Sequence, residues 1–436
     1  MRLMVDIRPL RVRPYGRLWG STVVTAVGSG LTAVAVPLQI YDITRSSVYV
    51  GLAGLAGLGP LVISGLWAGA IADVVDRRRM MLVTNLGITA TSITLWVQAV
   101  LGLRSVAVLL AVVAVQAGLF GANTAVRGAV VPRLVPAELL TAANTLQSSV
   151  LWLGWITAPL LAGALLPMLG IGVLYLLDAA ALGTTLWAVR KLPPLPPVHE
   201  GARRAGLREI TVGVGYLTRH RILLVAYLAD LIAMLFGNPT ALLPQVAHET
   251  FGDPPDGGFA IGVLYAAAPA GALCATLLSG TFTGVRRHGV MVTVAVCAWG
   301  LAITAFGFSR SLLLAGFFHM LAGAALIILS VFRKTILQEA VTDEMRGRMQ
   351  GIDVVAAAGG PQLASLAHGA AGAALGTTWA VSGGGILTVA VMLATVLAFP
   401  GFWRYRAFTH PVHRLKESTE AESSAVRTRK ATQASP

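Results

Sequence analysis

The chain is 436 residues long, 56% hydrophobic and only 12% charged, where soluble globular proteins carry about 25% charged residues. So little polar surface cannot cover a soluble core of this size, which leaves an all-α integral membrane protein. The formal net charge of +14 raises nucleic-acid binding, a reading that stands or falls on where the basic residues lie.

A helix needs about 20 mostly apolar residues to cross the hydrocarbon core. An open sheet would leave backbone groups unsatisfied in lipid. The N-terminal stretch MRLMVDIRPLRVRPYGRLWG is basic and runs into an apolar segment. With so many later spans it reads as the lead into an uncleaved first transmembrane helix rather than a secretory signal. Reading on between charges and turn residues gives twelve candidates: 17–41, 48–72, 80–102, 105–127, 139–167, 170–190, 221–247, 258–281, 289–308, 311–332, 348–373 and 376–402.

Twelve spans place both termini on one side. If that side is cytoplasmic, thirty of the 33 lysines and arginines fall inside and only Arg45, Arg104 and Arg310 outside. This is the positive-inside pattern of a multi-pass cell-membrane protein. It makes nucleic-acid binding unnecessary, because the basic residues flank spans and face anionic lipid.

The loop between spans two and three reads GAIADVVDRRRMM, with two acids and three arginines packed into seven residues. Arginines alone would anchor topology; two acids need another reason. Between spans six and seven lies RKLPPLPPVHEGARRAGLREITVGVGYLTRHR, the longest internal break. It divides the chain into an N-terminal bundle (1–190), a linker (191–220), a C-terminal bundle (221–403) and a tail (404–436) expected to be disordered and cytoplasmic. Residues 206–219 can form a basic amphipathic helix on the membrane surface, or a plain linker.

The two halves repeat. Pro37 in AVPLQIYD matches Pro244 in LLPQVAHE at a shift of 207, and Arg127 in AVRGAVVPRLVPAEL matches Arg333 in VFRKTILQEAVTDEM at 206. At that shift Val135 meets Val341 and Glu138 meets Glu344. Paired six-span halves around a midplane site are a recurrent transporter plan.

At this point the chain resembles the major facilitator superfamily. The family's loop motif, G-x-x-x-D-x-x-G-R-[KR], is met by Gly69, Asp73, Arg77 and Arg78, with Asp76 in place of the second glycine. GWITAPLLAG in span five is similar to the exporter-associated motif G-x-x-x-G-P-x-x-G-G. It keeps Gly154, Pro159 and Gly163, and has Ala158 and Ala162 for two glycines. With VPAELLTAANTLQ and an aspartate within span six, the chain looks most like the enterobactin-exporter and drug–proton antiporter branch.

The resemblance implies two pseudo-symmetric six-helix bundles alternating between inward- and outward-open states. It also implies that spans one, four, seven and ten line the cavity. Asp73 is expected to accept hydrogen bonds from the free N–H groups at the start of span eleven, where the helix dipole favours an anion. That contact would latch the halves on the cytoplasmic side. Pro159 bends span five and its small neighbours permit close helix contact.

Acids within spans are costly and usually face an interior cavity. Asp230, about 14 Å into span seven at ~1.5 Å per residue, is the first candidate for proton coupling and Asp42 the second. Asp178 reads as either a proton site or an interhelical hydrogen bond. Asp353 is either a proton site or an ion pair with Arg346 or Arg348. Arg127 and Arg333 are candidate gate residues, His319 a candidate relay. Gln39, Asn123, Asn238 and Gln245 can bind a substrate or tie helices together.

Cys274 and Cys297 lack metal or redox spacing, and no P-loop sequence G-x-x-x-x-G-K-[ST] occurs. No metal or cofactor is therefore expected. The expected partners are a small-molecule substrate, protons and membrane lipids, with the chain acting as a monomer. The expected function is proton-driven efflux of a small amphipathic molecule, a siderophore or drug-like compound. The competing readings are nutrient uptake, a membrane-embedded enzyme and a non-transporting receptor. Eight scattered histidines give the enzyme no cluster, and short loops argue against the receptor.

Overall fold

The structure, a computed structural model, describes residues 6–72, 75–196, 215–254, 257–282, 285–341 and 343–406. Within those ranges some side chains at 66–72, 129 and 343–358 are left undescribed. Among the described residues every regular element is helical, and ten stretches are long and apolar enough to cross a membrane.

One of the ten, the 51-residue helix Leu140–Arg190, is broken at Gly170, whose φ of 70° is left-handed. Glycine takes that conformation without steric cost. The stretch is therefore two spans, five (140–169) and six (171–190), divided where the turn was expected. The helix Asp343–Leu375 completes twelve. Spans one to four are Arg13–Thr44, Ser47–Ala72, Arg77–Val100 and Val106–Leu134. Spans eight, nine, ten and twelve are Phe259–Leu277, His288–Phe308, Leu312–Ala340 and Thr377–Ala398.

Span seven is discontinuous, where the sequence had suggested one helix over 221–247. Arg221–Gly237 stops at Asn238-Pro239, and a second helix runs Leu243–Phe251. Proline lacks an N–H and pushes the preceding residue out of the helical region; Asn238 sits at φ −106°, ψ 94°. The released groups find partners. The Gly237 carbonyl accepts from the Trp299 indole N–H at 2.7 Å. The Asn238 side chain accepts from the Thr240 hydroxyl at 2.5 Å and its N–H at 3.3 Å.

Because the spans alternate in direction, span one begins and span twelve ends on the same face, called here the terminal face. Loop residue Asp76, where the family expects glycine, caps span three: its carboxylate accepts from the N–H of Arg78 at 2.8 Å and of Arg79 at 3.3 Å. Asp76→Ala is expected to cost about 1 kcal/mol, the usual worth of such a cap, read as a lowered melting temperature of the purified protein. The linker start is pinned beneath the N-terminal half. Arg78 donates to the Arg190 carbonyl at 2.6 Å and Arg133 to the Pro196 carbonyl at 2.7 Å, while the Arg77 N–H reaches the Leu195 carbonyl at 3.1 Å. The expected surface helix falls mostly outside the described residues, as does the tail from 407.

Candidate functional site

Three charged residues meet inside the C-terminal half. Arg333 of span ten places Nη1 2.5 Å from a carboxylate oxygen of Asp353 in span eleven, and Nε 3.6 Å from a carboxylate oxygen of Asp230 in span seven. The Arg333 side chain is 5% exposed and those of Asp230 and Asp353 14% and 19%. The guanidinium also lies over the Tyr227 ring, 5.4 Å from its centroid, a cation–π contact. Tyr227 in turn donates to the Met349 carbonyl at 3.3 Å. Two carboxylates thus share one guanidinium, and with both ionised the trio carries a net negative charge. The two acids are held differently. Asp353 makes a hydrogen bond, whereas Arg333 Nε has no hydrogen-bond partner and Asp230 is held by charge alone.

From its position in the chain, Asp353 is expected to be either a proton site or an ion pair with Arg346 or Arg348. Its partner is Arg333, one span away; the side chains of Arg346 and Arg348 lie outside the described residues.

The halves touch across the face opposite the termini. In span five the exporter-motif residues work on two sides. The Pro159 carbonyl and Gly163 pack directly on Gly262 of span eight. A Cβ on Gly262 would sit 2.7 Å from that carbonyl, and one on Gly163 2.9 Å from the Gly262 Cα. Gly154 instead packs on Ala26 of span one, where a Cβ would lie 2.8 Å from the alanine methyl. Ala158, an alanine where the family has glycine, projects its methyl at Gly30 of span one, so the missing side chain has moved to the neighbouring helix. Span two meets span eleven where a Cβ on Gly51 would lie 2.5 Å from the Ser365 carbonyl. Gly163→Leu is expected to open the five–eight seam, since overpacking a close contact costs about 1–3 kcal/mol. The check is a spin-label distance between spans five and eight on that face, which should lengthen; an unchanged distance would refute the role.

Polar contacts join the same seam. Glu249, at the end of span seven, accepts from Gln245 Nε2 at 2.8 Å, from the Thr377 hydroxyl at 3.3 Å and from the Tyr41 hydroxyl of span one at 3.5 Å. Gln245 accepts from the Ser47 hydroxyl of span two at 2.6 Å. Gln245 and Glu249 therefore tie the C-terminal half to the N-terminal one. Glu249 was not singled out from sequence, although the repeat pointed to it: a shift of 207 carries Asp42 onto Glu249.

The remaining candidates are bonded within their own halves. Asp42 closes an end of span one with Arg45 at 3.0 Å and Arg104 at 3.3 Å. Asp178, 1% exposed, accepts from the hydroxyls of Thr32 and Ser92, both at 2.8 Å, joining spans one, three and six. Gln39 accepts from Gln98 at 2.9 Å and from the Tyr175 hydroxyl at 2.8 Å. Asn123 donates to Thr84 at 2.8 Å. His319 holds the Leu264 carbonyl at 2.9 Å through Nδ1 and stacks on Phe306 at 5.0 Å. Arg127 donates to the Thr22 hydroxyl. Asp73 lies outside the described residues, as do the surroundings of Gly69.

A family model described as "Transmembrane secretion effector" matches residues 5–412. The chain belongs to this family of the major facilitator superfamily. Among curated relatives, enterobactin exporter EntS of Shigella boydii serotype 18 (strain CDC 3083-94 / BS512) is 30% identical over 404 residues, covering 90% of this chain and 94% of the relative. The EntS of Escherichia coli O1:K1 / APEC is 29% identical over the same shares. Among solved structures, nucleoside transporter NupG superposes with a TM-score of 0.71 at 12% identity, over 90% of this chain and 100% of that one. A bacterial homologue of the human lysosomal transporter Spinster gives 0.65 at 15% identity, over 91% and 97%. The chain is thus a multi-pass membrane transporter of small molecules rather than an enzyme. Its twelve-span architecture is that of its superfamily.

Proposed function

We propose that this secretion effector exports a small amphipathic molecule, a siderophore or drug-like compound, in exchange for protons. The observation that carries the reading is the Asp230–Arg333–Asp353 cluster. A pair of acids around one arginine holds a removable proton, because binding one proton cancels the net charge of a site withdrawn from water. Asp230 takes the proton and Asp353 anchors the arginine. Asp42 and Asp178, bonded within the N-terminal half, serve structure in this scheme.

The positive-inside distribution of basic residues along the sequence argues that the terminal face is cytoplasmic, with both termini inside and the basic flanks against lipid phosphates. The seams through Gly163, Gly51 and Glu249 then belong to the state closed toward the outside. The halves, 1–190 and 221–403, rock about the site as two bodies in a monomer. The linker 191–220 joins them, and Asp73 latches the cytoplasmic side in the opposite state. Export rather than uptake is supported by the relatives named as exporters and by the exporter motif of span five.

The deciding measurement uses inverted membrane vesicles carrying a pH gradient, supplied with candidate siderophores and amphipathic drugs. Gradient-dependent accumulation is expected. No accumulation under any gradient would sink the antiport reading, and movement in the reverse sense would make the protein an importer.

A further inference from the structure

The two halves treat their matching arginines differently. Arg333 sits between Asp230 and Asp353. The shift of 206 that carries Arg333 onto Arg127 also carries Asp353 onto Gln147 of span five, and Asp230 onto Val24 of span one (Val23 at 207). The N-terminal half has kept the arginine and has neither acid. In the structure Arg127 donates from Nη2 to the Thr22 hydroxyl. Its Nε is buried with no hydrogen-bond partner. The nearby Tyr15 hydroxyl is engaged elsewhere, donating to the Ala143 carbonyl at 2.8 Å. Among the described residues no carboxylate pairs with Arg127. The residue as a whole is half-buried, while its Nε is withdrawn from solvent.

A guanidinium withdrawn from water without a counter-ion is costly to hold, and its fork of N–H donors matches a planar oxyanion. The pairing that Arg333 makes within the chain is left for Arg127 to make with something else. We propose that Arg127 recognises the transported molecule through an oxyanion on it, a carboxylate or an acidic phenolate. The substrate class narrows to amphipathic organic anions. This rests on the transport reading above and refines it.

The test uses two fluorescent probes of nearly one shape, 2-naphthoate and its neutral amide 2-naphthamide, titrated against the full chain in nanodiscs of zwitterionic lipid. The wild type is expected to favour the naphthoate by about tenfold, the worth of a charged hydrogen bond over its neutral counterpart. Arg127→Gln should lose that preference and still bind the amide. Gln147→Asp, which gives Arg127 the internal partner that Arg333 has, should lose it too. Equal binding of the two probes by the wild type would overturn the proposal, and so would a preference surviving both Arg127→Gln and Gln147→Asp. Repeating the titration in discs containing phosphatidylglycerol separates the sources of the anion. A preference abolished there assigns the oxyanion to a lipid headgroup and likewise overturns the proposal; a preserved one supports it. The vesicle assay is read separately. Gradient-driven accumulation without anion preference defeats this inference alone, and anion preference without accumulation defeats the transport reading.

Discussion

Asp230→Asn is expected to abolish proton-driven accumulation in inverted vesicles while leaving exchange of substrate down its own gradient. The reasoning starts from charge. Arg333 lies between two carboxylates, close enough to hydrogen-bond only Asp353. Lys334, its neighbour on span ten, is exposed. Asparagine keeps the shape of Asp230 and loses its proton, so the trio becomes one arginine with one acid and no longer gains by binding a proton. For one-to-one exchange each imposed pH unit supports about tenfold accumulation, from about 1.4 kcal/mol per unit. In the variant that ratio falls to about one, whatever the gradient, and substrate counterflow persists. Asp353→Asn frees Arg333 to pair fully with Asp230, so it should weaken coupling as well. If Asp230→Asn still accumulates substrate against its gradient, Asp230 is not the proton carrier.

The architecture was legible because lipid imposes it. Uninterrupted apolar runs and the lopsided arginines pointed to twelve spans, and eleven are continuous helices; most are close to the expected bounds, but spans four and ten run seven and eight residues further, past Arg127 and Arg333. The exception, span seven, was legible in principle: Gly237-Asn238-Pro239 is a turn signal. It went unread because the residues on both sides are apolar enough for one helix. The repeat was the richer signal. It matched Arg127 with Arg333, and its extension by five residues from Pro37 and Pro244 links Asp42 to Glu249. What sequence could not supply was who meets whom. Asp353 pairs with an arginine twenty residues away on the preceding span. The choice is made by the packing of two helices. Asp76 is a similar case. As a departure from a motif it had no role, while an acid directly before three arginines that begin a helix is a capping signal.

Removing the arginine gives the largest stability effect. Arg333→Met leaves Asp230 and Asp353 facing each other with no cation between them. Breaking a buried pair by deleting one partner costs about 3–5 kcal/mol, chiefly for the uncompensated charge left behind. The variant should melt well below wild type in detergent, or assemble poorly. Asp230→Asn and Asp353→Asn added to Arg333→Met should recover most of the loss, since neutral amides need no counter-ion, and that recovery separates charge from packing. Methionine also removes the stacking on Tyr227, an interaction worth about 0.5–2 kcal/mol, so recovery stops short of wild type by roughly that amount. Arg127→Met supplies the contrast. With no carboxylate paired to Arg127 among the described residues, it abandons one hydroxyl contact and relieves a desolvated charge, and should change stability by less than about 1 kcal/mol. Equal losses at the two arginines would mean that the acids around Arg333 are not what distinguishes the halves, and both the proton site and the anion site would lose their common footing.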